Sequence, residues 1–337
     1  MSSDTPKVRI DWYRSPLPRE VLAELNQKSD LLGLAQTLGY FGLLIALGGS
    51  AWYAVGRAPW WAVLILLYLH GAVFAFLLNA FHEFVHQSVF RTKWLNTFFT
   101  WVTSFLSWNN PVMFWASHME HHKYTLHPPD DLEVVLPVKI TVVNFFQFLL
   151  VNPWDFWHRF KIVSRLAMGR IEGQWEELLF PPGAEDKRHE LFRWARIILL
   201  GHAAIIVVSI IMGWWMLPVV VTFAPFYGGL LQWLCNNTQH AGLQDKVSDF
   251  RLCTRTFLLN PVVQFLYWHM NYHIEHHMYA AVPCYKLGRL RRAIEPDLPP
   301  APRGILAAWR EMIAIFQRQK QDPAYQHIVQ LPAPQRA

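Results

Sequence analysis

Eight histidines fall in three short stretches: His82 and His86; His118, His121 and His122; His273, His276 and His277. Their patterns are H-x-x-x-H, H-x-x-H-H and H-x-x-H-H. Side chains three and four residues apart share a helix face, so each stretch is expected to aim its imidazoles at one spot. Imidazole ligates Zn, Cu, Fe and Ni, and eight such groups exceed the needs of one tetrahedral ion. The pattern reads as a site for two metal ions held almost wholly by histidine. Each stretch also carries a glutamate, Glu83, Glu120 or Glu275, and the second is followed by His127, Asp130 and Asp131. Carboxylates behind metal-bound imidazoles fix their tautomer and orientation, and these residues are assigned that supporting role. His127 and His269, one turn before His273, are placed there too. Glu-x-x-His pairs on four helices, the mark of carboxylate-rich di-iron bundles, are missing.

The elements that must position these side chains are apolar. Hydrophobic residues make up 53% of the 337-residue chain and charged ones 16%, against roughly 25% charged in soluble domains. The 17 Trp and 23 Phe suit a membrane-interface belt. The polar N-terminus reads as neither a signal peptide nor a transit sequence, so the first apolar stretch is expected to be a retained span. Uncharged runs long enough to cross a bilayer predict spans at about 31–56, 58–81, 197–216 and 219–237. Three further apolar stretches, 94–119, 140–154 and 256–274, are interrupted or short and are read as interfacial or re-entrant helices. Cys235, Cys253 and Cys284 lack ligand spacing and read as buried small hydrophobes.

Two arguments support four spans. Four crossings leave the segment before residue 31, the segment 82–194 and the tail on one side, and that side carries every histidine stretch. Of the 30 Lys and Arg, only Arg57 falls in a predicted outer turn, so the shared face is cytoplasmic by the positive-inside rule. The formal charge of +6 is then the bias of loops facing anionic lipid, and nothing calls for a nucleic acid. The expected fold is an all-α integral membrane protein. It has four transmembrane helices in two hairpins, interfacial helices, and a cytoplasmic helical cap holding the histidine-rich site. The predicted organisation is a cytoplasmic segment 1–30, a membrane domain 31–290 and a cytoplasmic tail 291–337.

Two other functions compete. HEFVH (82–86) also fits H-E-x-x-H, in which Glu83 would be the general base of an intramembrane zinc protease, but that leaves two histidine stretches without a purpose. A non-enzymatic metal carrier would place ionisable ligands along a path at mid-membrane rather than on one face.

The three histidine stretches, in this order and four-span setting, resemble the membrane-bound fatty acid desaturase and hydroxylase family over roughly 31–290. The resemblance implies two iron ions on the cytoplasmic side of a four-helix stem, with O2 as co-substrate. It also implies a ninth ligand, His240 in CNNTQHAG, with Asn236 one turn earlier as a direct or water-mediated partner. An acyl or other lipid substrate follows from it, with desaturation the first expectation. Hydroxylation, oxidative decarboxylation to a terminal alkene, and desaturation of a small amino-acid-derived molecule are the alternatives. The chain carries no haem, iron–sulfur or dinucleotide motif. Electrons are therefore expected from a separate ferredoxin, rubredoxin or cytochrome with its reductase, most simply at a bacterial inner membrane.

Overall fold

The computed structural model describes residues 9–323 and 325–333. The first eight residues of the expected N-terminal segment, and residues 324 and 334–337 of the expected tail, lie outside the described residues. The described chain is helical, with three isolated β-bridges and no strand.

Helix α1 (Asp30–Ala54) starts where Ser29 accepts the amide of Leu32, satisfying a donor that the first turn would otherwise leave open. Gly56, at φ +72°, turns the chain. Pro59 then leads into α2 (Trp60–Ala75), which returns beside α1 and accepts a 2.6 Å hydrogen bond from Tyr40 at the Val73 carbonyl. At Phe76 the helix tightens: the amides of Phe76 and Asn79 reach back three residues, to Val73 and Phe76. That turn bends α2 into α3 (Leu77–Val85), which carries the first two histidines.

The apolar stretch 94–119 folds as two helices, α4 (Lys93–Leu106) and α5 (Pro111–Tyr124). Asn110 separates them. Its side chain accepts the amides of Val112 and Met113, and Pro111 follows at the first helical position, where no amide is needed. Val142–Leu149 forms a two-turn surface helix within 140–154. Helix α6 (Pro153–Ala167) packs along α7 (Glu185–Met212).

Helix α7 differs from expectation at its start. It begins at Glu185, so its charged first turns extend the predicted 197–216 span toward α6. The predicted span 219–237 is not one helix. Met216–Val220, a 3-10 turn at Ala224–Phe226 and α8 (Leu230–Asn236) replace it. The stretch lacks charge, but Pro218, Pro225 and Gly228 interrupt it. Gly228 sits at φ +68°, and a Cβ there would lie 2.7 Å from the Tyr68 carbonyl oxygen. Close backbone approach, rather than helix continuity, seats this segment on α2. Among the described residues, three helical stretches are long and apolar enough to cross a membrane: Asp30–Ala54, Trp60–Val85 (bent at Phe76) and Glu185–Met212. Their outward residues, among them Leu38, Ile45, Ile65, Leu200, Val207 and Ile211, are exposed.

Helix α9 (His273–Met278) carries the third stretch, followed by α10 (Leu287–Ile294) and α11 (Ile305–Gln321). Two apolar cores seat the histidine-bearing helices. Leu77, Ala80 and Phe84 of α3 enter one with Tyr40 and Trp268; Ile274 and Met278 of α9 enter the other with Trp12, Phe250 and Leu287. The N-terminal segment lies over the cap. Trp12 donates to the Lys123 carbonyl at 2.8 Å, and Arg14 donates to that of Met278 at 2.8 Å.

Candidate metal centre

The histidines converge, but not as three separate clusters. His82, His86, His118, His122 and His276 form one group; His121, His240 and His277 form a second; within each, ligand atoms lie within 4.8 Å of one another. His273 joins the second group, its Nε2 lying 3.0 Å from that of His240 and 3.1 Å from that of His277. The two H-x-x-H-H stretches are therefore used reciprocally. On α5 the outer pair, His118 and His122, serves the first group and His121 the second. On α9 the outer pair, His273 and His277, serves the second group and His276 the first. This corrects the expectation that each stretch aims at one spot. The i, i+4 pair shares a face, while the middle ring lies about 60° from the first and about 100° from the last around the helix, at 100° per residue, and reaches a neighbouring centre.

Hydrogen bonds fix which nitrogen of several rings faces inward. His118 donates from Nδ1 to Glu133 at 2.8 Å, and His121 from Nδ1 to Asp131 at 2.8 Å. His82 Nδ1 lies 3.1 Å from Glu83. His240 donates from Nδ1 to the Cys253 carbonyl at 2.9 Å. His277 donates from Nδ1 to the Thr125 hydroxyl, whose own proton goes to the His121 carbonyl. Each of these rings therefore turns the lone pair of Nε2 into the cluster.

The inward nitrogens crowd. His118 Nε2 lies 3.0 Å from Nε2 of both His86 and His122, and His122 Nε2 lies 3.2 Å from that of His276. His273 can donate to His240 or His277 but not both, and His82 Nε2, His273 Nδ1 and His276 Nδ1 are buried without a partner. Converging lone pairs with nothing between them are unfavourable at this burial. Two cations, one per group, would resolve the crowding of the Nε2 atoms and give His82 Nε2 a partner, so the donor set fits two metal ions.

Charge in the cap agrees. Burial, then the neighbouring imidazoles, hold His118, His122, His276 and His277 well below the ordinary histidine pKa, so these rings are neutral and ready to ligate. His121 is the exception: burial lowers it, but its hydrogen bond to Asp131 and the charges of Glu133 and Asp131 leave it raised.

The supporting residues divide. Glu83 and Asp131 contact ligand rings. Glu120 instead pairs with Lys123 at 2.8 Å. Glu275 turns from the cluster to Arg291 and Thr256, because the first-turn position of α9 between His273 and His276 faces α10. His127 donates to the Thr125 carbonyl at 2.9 Å and meets Trp12 edge-on. The amide of Asp130 bonds to His127, and His269 pairs with Gln264. Asn236 belongs to neither histidine group. Its Oδ1 accepts from Asn79 at 3.4 Å, and with Glu133, Lys139 and His240 it lines a cavity of about 390 Å³ beside the second group.

Glu133 is the contact the sequence reading missed. The only signal was its place two residues after Asp131, whose carboxylate accepts its amide at 2.9 Å. Replacing Glu133 by alanine should weaken metal binding about 10–100-fold, the usual cost of removing such a support. Chelator competition reads it, and an unchanged affinity would mean that the fold alone suffices to hold His118.

Glu83 bonds to a ligand ring, and His82 and His86 share their centre with three more imidazoles, which is not the arrangement of a zinc protease. A comparison with curated proteins found no match. Residues 58–309 match the fatty acid desaturase family, and since they make up most of the chain and hold all nine clustered histidines, the protein belongs to that family.

Proposed function

We propose that the protein is an O2-dependent di-iron oxidoreductase that introduces a double bond into an acyl chain. The observation that carries this reading is the reciprocal sharing of the two H-x-x-H-H stretches, which builds two adjoining all-imidazole centres from α3, α5, α9 and the turn bearing His240. His82, His86, His118, His122 and His276 would hold one iron; His121, His240, His273 and His277 would hold the other, with Asn236 near the second. Bound iron would supply the redox chemistry by which O2 and two electrons take two hydrogens from a saturated C–C pair, leaving an alkene and two waters after uptake of two protons.

The chain's own part is positional. Glu83, Glu133 and Asp131 hold ring Nδ1 protons, and the flanking apolar cores keep bulk water from the centre. The cavity beside His240 and Asn236 is the approach for substrate. Electrons come from a separate ferredoxin, rubredoxin or cytochrome with its reductase.

In the topology proposed here the broken segment 213–236 completes the fourth crossing. The N-terminal segment (1–30), the metal centre and the tail (291–337) then face the cytoplasm of a bacterial inner membrane, around a membrane domain of 31–290. The Lys and Arg distribution supports that orientation. Hydroxylation, terminal-alkene formation and desaturation of a small amino-acid-derived molecule use the same ligands.

Expression with a compatible redox system, followed by mass spectrometry of lipids and volatiles, separates them. A new double bond absent from a His118→Ala strain supports desaturation. A hydroxyl or a shortened terminal alkene selects an alternative. Zinc without iron in protein expressed with ample iron and limiting zinc, then purified metal-free, removes the oxygen chemistry altogether.

A further inference from the structure

His240 is the one clustered histidine outside the three stretches. It is also the one that does not ride on or cap a helix: α8 ends at Asn236, and residues 237–240 form a turn. A ring on a turn has fewer local restraints than one on a helix, yet a metal ligand must be held within about 0.5 Å. The restraint comes from Arg255. Its Nη1 donates to the carbonyls of Thr238 at 2.6 Å and Ala241 at 3.1 Å, and its amide donates to Gln239 at 2.7 Å. Three hydrogen bonds from one residue therefore bracket His240 on both sides. The segment that carries Arg255 also offers the Cys253 carbonyl that fixes the His240 ring.

Arg255 is itself held from outside the cluster. Its side chain is 4% exposed, and Nε pairs with Glu311 of α11 at 2.9 Å. Helix α11 touches the same segment twice more. Trp309 donates to the Leu234 carbonyl at 2.9 Å. Gly242, at φ +79°, leaves room for Ile315, whose Cγ2 would lie 3.0 Å from a Cβ there. These contacts run from α8 through the His240 turn and converge on one helix, whose Glu311 lies beyond the residues matched to the family.

We propose that Arg255 is a positioning residue for His240, through which α11 governs occupancy of the metal site formed by His121, His240, His273 and His277. This rests on the reading that those histidines hold metal. A guanidinium suits the task because its fork reaches two carbonyls and a carboxylate together, which a lysine ammonium on a flexible stem cannot do. The five-histidine group takes nothing from this turn and keeps its ligands when the brace is cut.

The full chain, as Arg255→Lys, Glu311→Gln and Glu311→Asp variants, is loaded anaerobically with ferrous iron, and metal per chain is counted. Hydrogen exchange is followed in the metal-free proteins. In Arg255→Lys the count should fall from two to one, with the remaining site bound as in the parent. Amides of 238–243 should exchange about tenfold faster or more, as expected when a local opening is made easier. Glu311→Gln should act in the same direction, and Glu311→Asp should restore the parent pattern.

Two metals retained in both Arg255→Lys and Glu311→Gln, or loss of both metals with faster exchange throughout, overturns the proposal. If the parent itself takes up no stoichiometric metal, the functional reading fails instead. The exchange data then decide the brace alone: acceleration confined to 238–243 upholds it, and unchanged exchange removes it.

Discussion

Replacing His122 by alanine should lower kcat/KM by about 1,000-fold or more, since losing a ligand must cost more than the about 10–100-fold of losing a carboxylate behind one. His122 touches rings of both groups. Its Nε2 faces those of His118 and His276 at 3.0 and 3.2 Å, and its plane stacks on His277 of the other group at 4.5 Å. Alanine therefore removes a donor from one centre and the packing partner of a donor in the next. His158, exposed on α6, is the control; alanine there should stay within about twofold, as surface substitutions usually do. Turnover of the His122 variant within tenfold of the parent would contradict the assignment of that ring.

Acid should unfold the cap of the metal-free protein while sparing the loaded one. Six histidines of the cap, His118, His122, His240, His273, His276 and His277, are held below the ordinary value, first by burial; His240 is lowered to about 3. Once unfolded, each titrates near about 6.5. Below that pH the unfolded chain binds more protons than the folded one, so stability falls as pH falls. His121 works in the opposite sense: its raised value contributes stability below about 6.5 that is lost only as pH rises through its folded pKa. Burial also raises Glu133 and Glu275, which act in the same sense as His121, and three groups do not offset six. At up to about 1.4 kcal/mol per group per pH unit, the net excess of three lowered groups costs up to roughly 4 kcal/mol per unit, a sizeable part of the about 5–15 kcal/mol of a whole domain.

The metal-free protein in detergent should therefore lose its tertiary signal between about pH 6.5 and pH 5, within one or two units of the free histidine value. Bound metal competes with those protons and moves the transition lower. Tryptophan fluorescence, with Trp12 stacked at 4.1 Å on Phe250 over the cap, reports it. Coincident titrations with and without metal would show that the rings do not hold the ions.

Much of the site was legible because its ligands recur at helical spacings, and α3, α5 and α9 do carry them. The allocation of those ligands between two centres was not legible. Spacing alone puts His118, His121 and His122 on one side of α5; which centre each ring reaches depends on where α3 and α9 pack against it. The supporting carboxylates show the same limit. Glu120 and Glu275 stand as close in sequence to histidines as Glu83 does, yet Lys123 and Arg291 draw them away, whereas Glu133 reaches His118 from fifteen residues on. For the fold, absence of charge marked the apolar segments reliably but not their continuity. It gave α1 and the α2–α3 pair nearly whole, and it gave 219–237 as one helix where Pro225 and Gly228 break it.

The crowded imidazole nitrogens also bear on which ion the protein ends up with. Rings held by Glu133, Asp131, Cys253 and Thr125 are oriented before any ion arrives, so the pocket is a rigid set of nitrogen donors with little means of rejecting a competitor by shape. Among divalent first-row ions such donors favour copper and zinc over ferrous iron. For the di-iron enzyme proposed above, correct metallation is then a matter of supply: the compartment must offer iron and withhold its tighter-binding neighbours. A cell flooded with zinc would fill a well-folded enzyme with an ion that cannot change oxidation state.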